Sequence, residues 1–301
     1  MNPKYLITII GPTAIGKTTL SIELAKHFNC EIVSCDSRQF FKEMTIGTAV
    51  PTSDELAAAR HHFIHNKSIF DTYTVGDFEK EAIEKLDELF ENNDYAVLVG
   101  GSGLYVDAVL KGFDEFPEID PKIREAITVE YEKSGISYLQ NELKKHDPAY
   151  YETVDTENPQ RMMRALEVSV GSKKPYSSFL NVKKNSRKFI PIIIGLEAER
   201  SIMYDRINRR VDIMMEEGLL SEAKKMYPYK KLNALQTVGY RELFSYLDGD
   251  IPPDFAVSEI KKNTRRFAKR QMTWFKRTEN VKWFDYLYPI SEITAYIEQR
   301  K

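Results

Sequence analysis

Four short apolar runs, rich in isoleucine and valine, punctuate the chain: Tyr5–Ile10, Glu31–Cys35, Tyr95–Val99 and Phe189–Leu196. Near-continuous hydrophobicity of this kind predicts strands covered on both faces. Helical patterns separate the runs, as parallel strands with crossover helices require. Val75–Phe90 places Phe78, Ala82, Leu86 and Leu89 at helical spacing. TSDEL at Thr52–Leu56 offers a capping box, with Thr52 as cap and Glu55 at the third helical position. Between about Glu115 and Lys188 the strand signal stops, and helices are predicted over Lys122–Lys133, Ser137–Lys145 and Pro159–Val170, followed by a basic loop. The pattern therefore predicts an α/β core over 1–114 and 189–301, interrupted by an all-helical insertion over 115–188.

A final long helix is expected from Phe255 to about Lys276. Val257, Ile260, Thr264, Phe267, Gln271 and Trp274 form one stripe, apolar except for Thr264 and Gln271. Lys261, Lys262, Arg265, Arg266, Lys269 and Arg270 occupy the remainder. One side should pack on the core while the other presents a row of cations.

Composition narrows the class. The 301 residues are 42% hydrophobic, enough for a large buried core, and no apolar run is long enough to span a bilayer. MNPKYLITII reads as a first strand rather than a secretory signal. The cysteines, Cys30 and Cys35, form no C-x-x-C pair, which argues against a zinc site or disulfide framework and suits a reducing cytoplasm. A net charge of −2 conceals segregation: residues 79–94 are acidic, whereas 172–188 hold six basic residues and 261–277 hold eight, with no acidic residue in either. Such a field suits a polyanion larger than a nucleotide.

The chemistry begins at GPTAIGKT, Gly11–Thr18, which fits G-x-x-x-x-G-K-[ST] directly after a strand. Gly11 and Gly16 let the backbone bend around phosphate oxygens, and the helix after Gly16 points free N–H groups at the anion. Lys17 adds a point charge, and the Thr18 hydroxyl can ligate Mg²⁺. The core is accordingly expected to be a P-loop NTPase-like parallel sheet flanked by helices. Asp36 stands at the carboxyl end of the second strand, where open α/β sheets bind ligands; it could hold Mg²⁺ through water, act as a general base, or cap a turn. Arg38 and Gln39 beside it suit nucleobase edges. Gly100, Gly101 and Gly103 in VGGSGLY permit close approach of a ligand or simply a tight turn. Arg161 and Arg164 share one face of the helix opened by NPQ, opposite Met162, Met163, Leu166 and Val170. Arg206, Arg209 and Arg210 could reach a phosphate from a core helix. His61 and His65 could share a helical face, but no third metal ligand is evident.

GPTAIGKT, DSRQFFKEMTIGTA, VGGSGLY, NPQRMMRALEV, QTVGYRE and RRFAKRQMTWF occur in an order that resembles the tRNA dimethylallyltransferases, from the first strand to the last helix. The resemblance implies transfer of a dimethylallyl group from dimethylallyl diphosphate to the exocyclic amine of the adenosine 3′ of the anticodon, in tRNAs reading codons that start with U. Mg²⁺ would be the cofactor, the anticodon stem-loop the macromolecular partner, and the chain a cytoplasmic monomer. By the same resemblance Gly11, Pro12, Thr13, Ala14, Ile15, Gly16, Lys17 and Thr18 bind the donor diphosphate, Thr18 with the metal. Asp36, Lys17, Thr13 and Arg210 are catalytic, Asp36 as general base. Asp36, Ser37, Arg38, Gln39, Ser102, Arg124, Gln160, Arg161, Met162, Met163, Arg164, Gln236, Thr237, Val238, Gly239, Tyr240 and Arg241 match stretches that contact tRNA. The sequence departs from the family pattern at Ser102, usually Thr; Phe41, usually Tyr; Val50, usually Lys; and at Arg60 and His65, usually Pro and Asp.

Competing readings follow from the phosphate loop alone. A small-molecule kinase would consume ATP but leaves the basic, aromatic-bearing C-terminal half unused. A prenyltransferase acting on free adenine nucleotides needs neither the insertion nor a long cationic surface. A non-catalytic RNA-binding protein has no use for an intact Gly16-Lys17-Thr18 and Asp36.

Overall fold

The computed structural model describes residues 2–180 and 187–300. All six strands of its sheet run parallel: β1 Tyr5–Ile10, β2 Ile32–Ser34, β3 His61–His62, β4 Tyr95–Val99, β5 Ile190–Glu197 and β6 Val281–Asp285, in spatial order β3-β2-β4-β1-β5-β6. β1 lies between β4 and β5, with Tyr5 opposite both Tyr95 and Ile190. Every residue of β1 and β4 is buried, as their unbroken apolar runs require. Alternate residues feed two cores. Ile7, Ile9, Val97 and Ile194 pack on one face with the helix Lys17–His27, and Leu6, Ile10, Leu98 and Phe275 pack on the other with Val75–Asn92.

The chain forms two compact units, Met1–Leu110 with Arg187–Lys301, and Lys111–Ser186. The second contains the helices Pro121–Ser134, Ile136–His146, Pro148–Tyr151 and Pro159–Ser172, built around Ile127, Leu139, Leu143, Met162, Met163 and Leu166. Three of these helices start with a proline behind an Asp or Asn cap: Asp120, Asp147 and Asn158.

Several expectations need correction. His61 lies on β3, and Phe63 and His65 adopt left-handed backbone, so the histidines share no helical face. His61 Nδ1 bonds the Ala59 carbonyl at 2.8 Å and His62 Nε2 meets Glu31 at 2.5 Å. β6 and the helix Ile290–Glu298 follow the helix that had been expected to end the fold. That helix runs Pro253–Phe275, and its buried seam is Ala256, Ile260, Ala268, Gln271 and Phe275. Phe267 and Trp274, expected within the packed stripe, are more than a third exposed.

The basic loop falls partly outside the described residues, at 181–186. Beyond it, Arg187 donates to Glu79 and to the Ala108 carbonyl, each at 2.6 Å, and Lys188 meets Asp87 at 2.6 Å. These two cations serve the fold internally.

Candidate active site

The phosphate loop leaves β1 at Gly11, whose φ of +147° and contact with the Leu196 carbonyl leave no room for a Cβ. Ala14 takes a left-handed conformation rare for a residue with a Cβ. Its carbonyl accepts from Arg206 Nε at 2.7 Å. Gly16 ends the loop at φ +109°, and no side chain caps the helix that follows, so its first N–H groups and positive dipole end face the loop. The Lys17 ammonium folds back, donating to the carbonyls of Gly11 at 3.0 Å and Pro12 at 2.7 Å. Burial pulls its pKa from 10.5 down to about 8; Asp36 opposes the shift and Arg210 adds to it.

Gln271 braces the loop from the far end of the chain. Its Oε1 accepts from the Thr13 backbone N–H at 2.9 Å, and its Nε2 donates to the Gly101 carbonyl at 2.8 Å. A Cβ on Gly101 would lie 2.3 Å from that nitrogen, so the glycine there is a packing requirement. Gly100 is equally constrained: a Cβ would meet the Cys35 carbonyl carbon at 2.7 Å.

Asp36 follows β2 with its Oδ1 accepting from the Arg38 N–H at 3.0 Å. Ser102 ties this turn to the one after β4. Its Oγ accepts from the Ser37 N–H at 3.1 Å and donates to the Ser37 hydroxyl at 3.0 Å. Arg38 and Gln39, expected to suit nucleobase edges, also make internal bonds. Arg38 Nη1 donates to the Asn233 and Ala234 carbonyls, and Gln39 Nε2 donates to those of Thr48 and Ala49 while its Oε1 accepts from Ser34. Both side chains fasten loops around the site, and burial holds the Arg38 pKa below its ordinary value.

Glu222, which nothing in the sequence singled out, organises the opposite lip. Its carboxylate accepts from the consecutive N–H groups of Thr45, Ile46 and Gly47 and from the Tyr240 hydroxyl at 2.6 Å. Tyr240 is fully buried, and its ring lies where a Cβ on Gly47 would stand. Its side chain thus has a structural role at this lip. Met162 and Met163 turn their side chains into the core of the helical unit. Arg161, Arg164 and Gln160 remain exposed on that helix. Arg164 pairs with Glu167 at 3.1 Å, and Arg124 bonds Glu167 and Gln160.

Two cavities open on the core unit. One, of about 710 Å³, is floored by the phosphate loop and flanked by Ser34, Thr52, Arg206, Arg209 and Arg210. The other, of about 610 Å³, is walled by Ser37, Tyr105, the turn Gln236–Gly239, Arg241 and the exposed side of the long helix with Phe267, Arg270 and Trp274. Trp274 is fixed by its Nε1 donating to Asp107 at 2.8 Å and by close packing on Gly103. Thr13, Asp36, Gly101 and Arg210 stand on both walls. Arg210 is buried there, which lowers its pKa, while Asp36 acts in the opposite sense.

A divalent cation suits the first cavity. Among the described residues no group of three or more His, Cys, Asp or Glu side chains could by itself hold a metal ion. A divalent cation bound with a phosphate chain takes most of its ligands from phosphate oxygens and water, so the Thr18 hydroxyl on one wall is a sufficient protein contribution.

A family model described as IPP transferase matches residues 39–278. The chain belongs to that family. A relative in Flavobacterium johnsoniae named tRNA dimethylallyltransferase is 69% identical over 300 residues, covering 98% of this chain and 97% of the relative. Among solved IPP transferase structures, the full-length tRNA isopentenylpyrophosphate transferase of Bacillus halodurans is 38% identical with a TM-score of 0.74, over 99% of this chain and 97% of that one. A eukaryotic dimethylallyltransferase captured acting on tRNA is 25% identical with a TM-score of 0.82, over 99% of this chain and 77% of the other. Among the described residues, no helix is long and apolar enough to cross a membrane.

Proposed function

We propose that this chain transfers a dimethylallyl group from dimethylallyl diphosphate to the N6 amine of the adenosine 3′ of the anticodon in tRNA, releasing diphosphate. The observation that carries this reading is the pair of cavities sharing Asp36, Thr13 and Arg210. A cradle for a diphosphate on one side and an aromatic, cation-rimmed recess on the other suit a donor and a flipped-out base meeting at one carboxylate.

The adenine amine is a weak nucleophile because its lone pair is delocalised into the ring. Rate must come from easing ionisation of the allylic carbon–oxygen bond. Backbone N–H groups of residues 14–18, the ammonium of Lys17 and the guanidinium of Arg210 stabilise charge gathering on the departing diphosphate. The Thr18 hydroxyl would hold Mg²⁺ beside the diphosphate, where the ion would supply Lewis-acid neutralisation of the same charge. Asp36 accepts a hydrogen bond from the attacking amine and takes its proton as the N–C bond forms. Thr13 holds the donor's bridging region at the junction of the cavities.

The helical unit over 111–186 contributes Arg161, Arg164, Arg124 and Gln160 as backbone contacts for the anticodon stem-loop. Arg266, Lys269 and Arg270 on the long helix, with Gln236, Thr237 and Arg241, supply contacts of their own on the core unit. The chain works as a monomer in the cytoplasm. Incubating unmodified tRNA with labelled dimethylallyl diphosphate, with and without Mg²⁺, tests the reading by nucleoside analysis. Label in the adenosine next to the anticodon is expected, and phosphorylated product from ATP in its place overturns it.

A further inference from the structure

We propose that Gln271 is a positioning residue that holds the phosphate loop in register with the glycine turn after β4, an inference resting on the transfer reading above. Gln271 is the one amide in the buried seam of the helix Pro253–Phe275, and it is 6% exposed. Both ends of its side chain are used: the oxygen on the Thr13 N–H, the nitrogen on the Gly101 carbonyl. A residue there only to fill space would be apolar, since a buried amide contributes nothing unless both ends are bonded.

The two groups it joins belong to opposite sides of the reaction. Thr13 lies in the cradle for the leaving diphosphate, and Gly101 precedes Ser102, which fixes Ser37 beside Asp36. Gln271 thus sets the distance between the anion cradle and the turn that carries the general base. Both polar atoms of the side chain are spent on Thr13 and Gly101, so its influence passes through them.

Gln271→Glu gives a test with its own signature. A protonated carboxyl reproduces both bonds, accepting from Thr13 and donating to Gly101. An ionised one turns an oxygen toward the Gly101 carbonyl and breaks the second. Burial raises the acid's pKa, and neighbouring Lys17 opposes that. Other charged groups on the shared walls are Asp36, Arg210, Arg38, Arg241 and Arg270. Dividing each rate by the parent's removes their own titration.

Single-turnover transfer is measured for the parent, Gln271→Glu and Gln271→Met between about pH 6 and about pH 8.5. The Glu-to-parent ratio of kcat is expected to rise about tenfold or more toward acid, and the Met variant to lose about tenfold or more at every pH, with KM for tRNA unchanged in both. A flat or falling ratio, or a Met variant at parental kcat, overturns the proposal. If circular dichroism finds the Met variant unfolded, the Glu ratio decides alone. Affinity for inorganic diphosphate, measured by calorimetry on the same proteins, should follow the same pH-dependent ratio. That arm stands even if the parent transfers no prenyl group, in which case the functional reading fails and the clamp does not.

Discussion

Proton uptake on donor binding is the sharpest consequence of the buried ammonium in the phosphate loop. Lys17 has a pKa of about 8 in the free chain because burial disfavours its charge, with Arg210 adding to the effect. A diphosphate placed in the cradle reverses that balance and restores the protonated form. With a pKa of about 8, about a tenth of the free chains hold Lys17 neutral at about pH 7, half at about pH 8 and about nine-tenths at about pH 9. Each of those neutral amines takes up one proton on binding. Calorimetry at about pH 9 in buffers of different ionisation enthalpy should therefore report about 0.9 proton bound per donor. Donor affinity should fall about tenfold per pH unit above that pKa. Lys17→Arg keeps its charge throughout and should abolish the uptake. Working above about pH 7.5 keeps the donor's own phosphate, with a second pKa near 6, out of the count. For the free fold the sign is opposite. Between about 8 and 10.5 the unfolded chain holds the proton that the folded chain lacks, so stability rises with pH across that window. No uptake at about pH 9, or equal uptake by Lys17→Arg, refutes the reasoning.

Other outcomes follow from named contacts. Asp36→Ala should retain tRNA affinity in filter binding while single-turnover transfer drops by about two to four orders of magnitude; parental rates would remove the general base from Asp36. Glu222→Ala strips acceptors from three backbone N–H groups and the Tyr240 hydroxyl. It should cost about 3 kcal/mol, seen as a lower urea midpoint with unchanged slope, and a loss below about 1 kcal/mol would show that the lip holds without it. Removing the Arg270 guanidinium by Arg270→Ala should flatten the salt dependence of tRNA binding by slightly less than one unit of log–log slope, and an unaltered slope would exclude a phosphate contact there.

Legibility in the sequence followed burial and local signals. β1 and β4 are bounded as their apolar runs indicate, because both faces of each are covered and a glycine turn follows. The capping box at Thr52 forms with both of its hydrogen bonds, a pattern written within four residues. β6 was invisible because VKWFD is an edge strand with one fully buried residue, so its alternation carries no hydrophobic signal. β3 is two histidines long and exists only by pairing with β2. At the site, the phosphate loop is a local motif and reads directly. Glu222 and the internal bonds of Arg38, Gln39 and Tyr240 are set by partners far along the chain, which no spacing rule encodes. Gln271 did leave a trace, as one of two polar residues, with Thr264, in a stripe apolar elsewhere.

The bond between Thr13 and Gln271 spans 258 positions. During synthesis at about 5–20 residues per second, the nascent glycine loop therefore waits many seconds for its brace. Until the long helix Pro253–Phe275 emerges from the ribosome, the newborn protein has an anion cradle with its third residue untethered. Premature stops before that helix would yield fragments that contain the signature motif intact yet lack the part that sets its shape, so the motif alone is a poor guide to competence in truncated alleles.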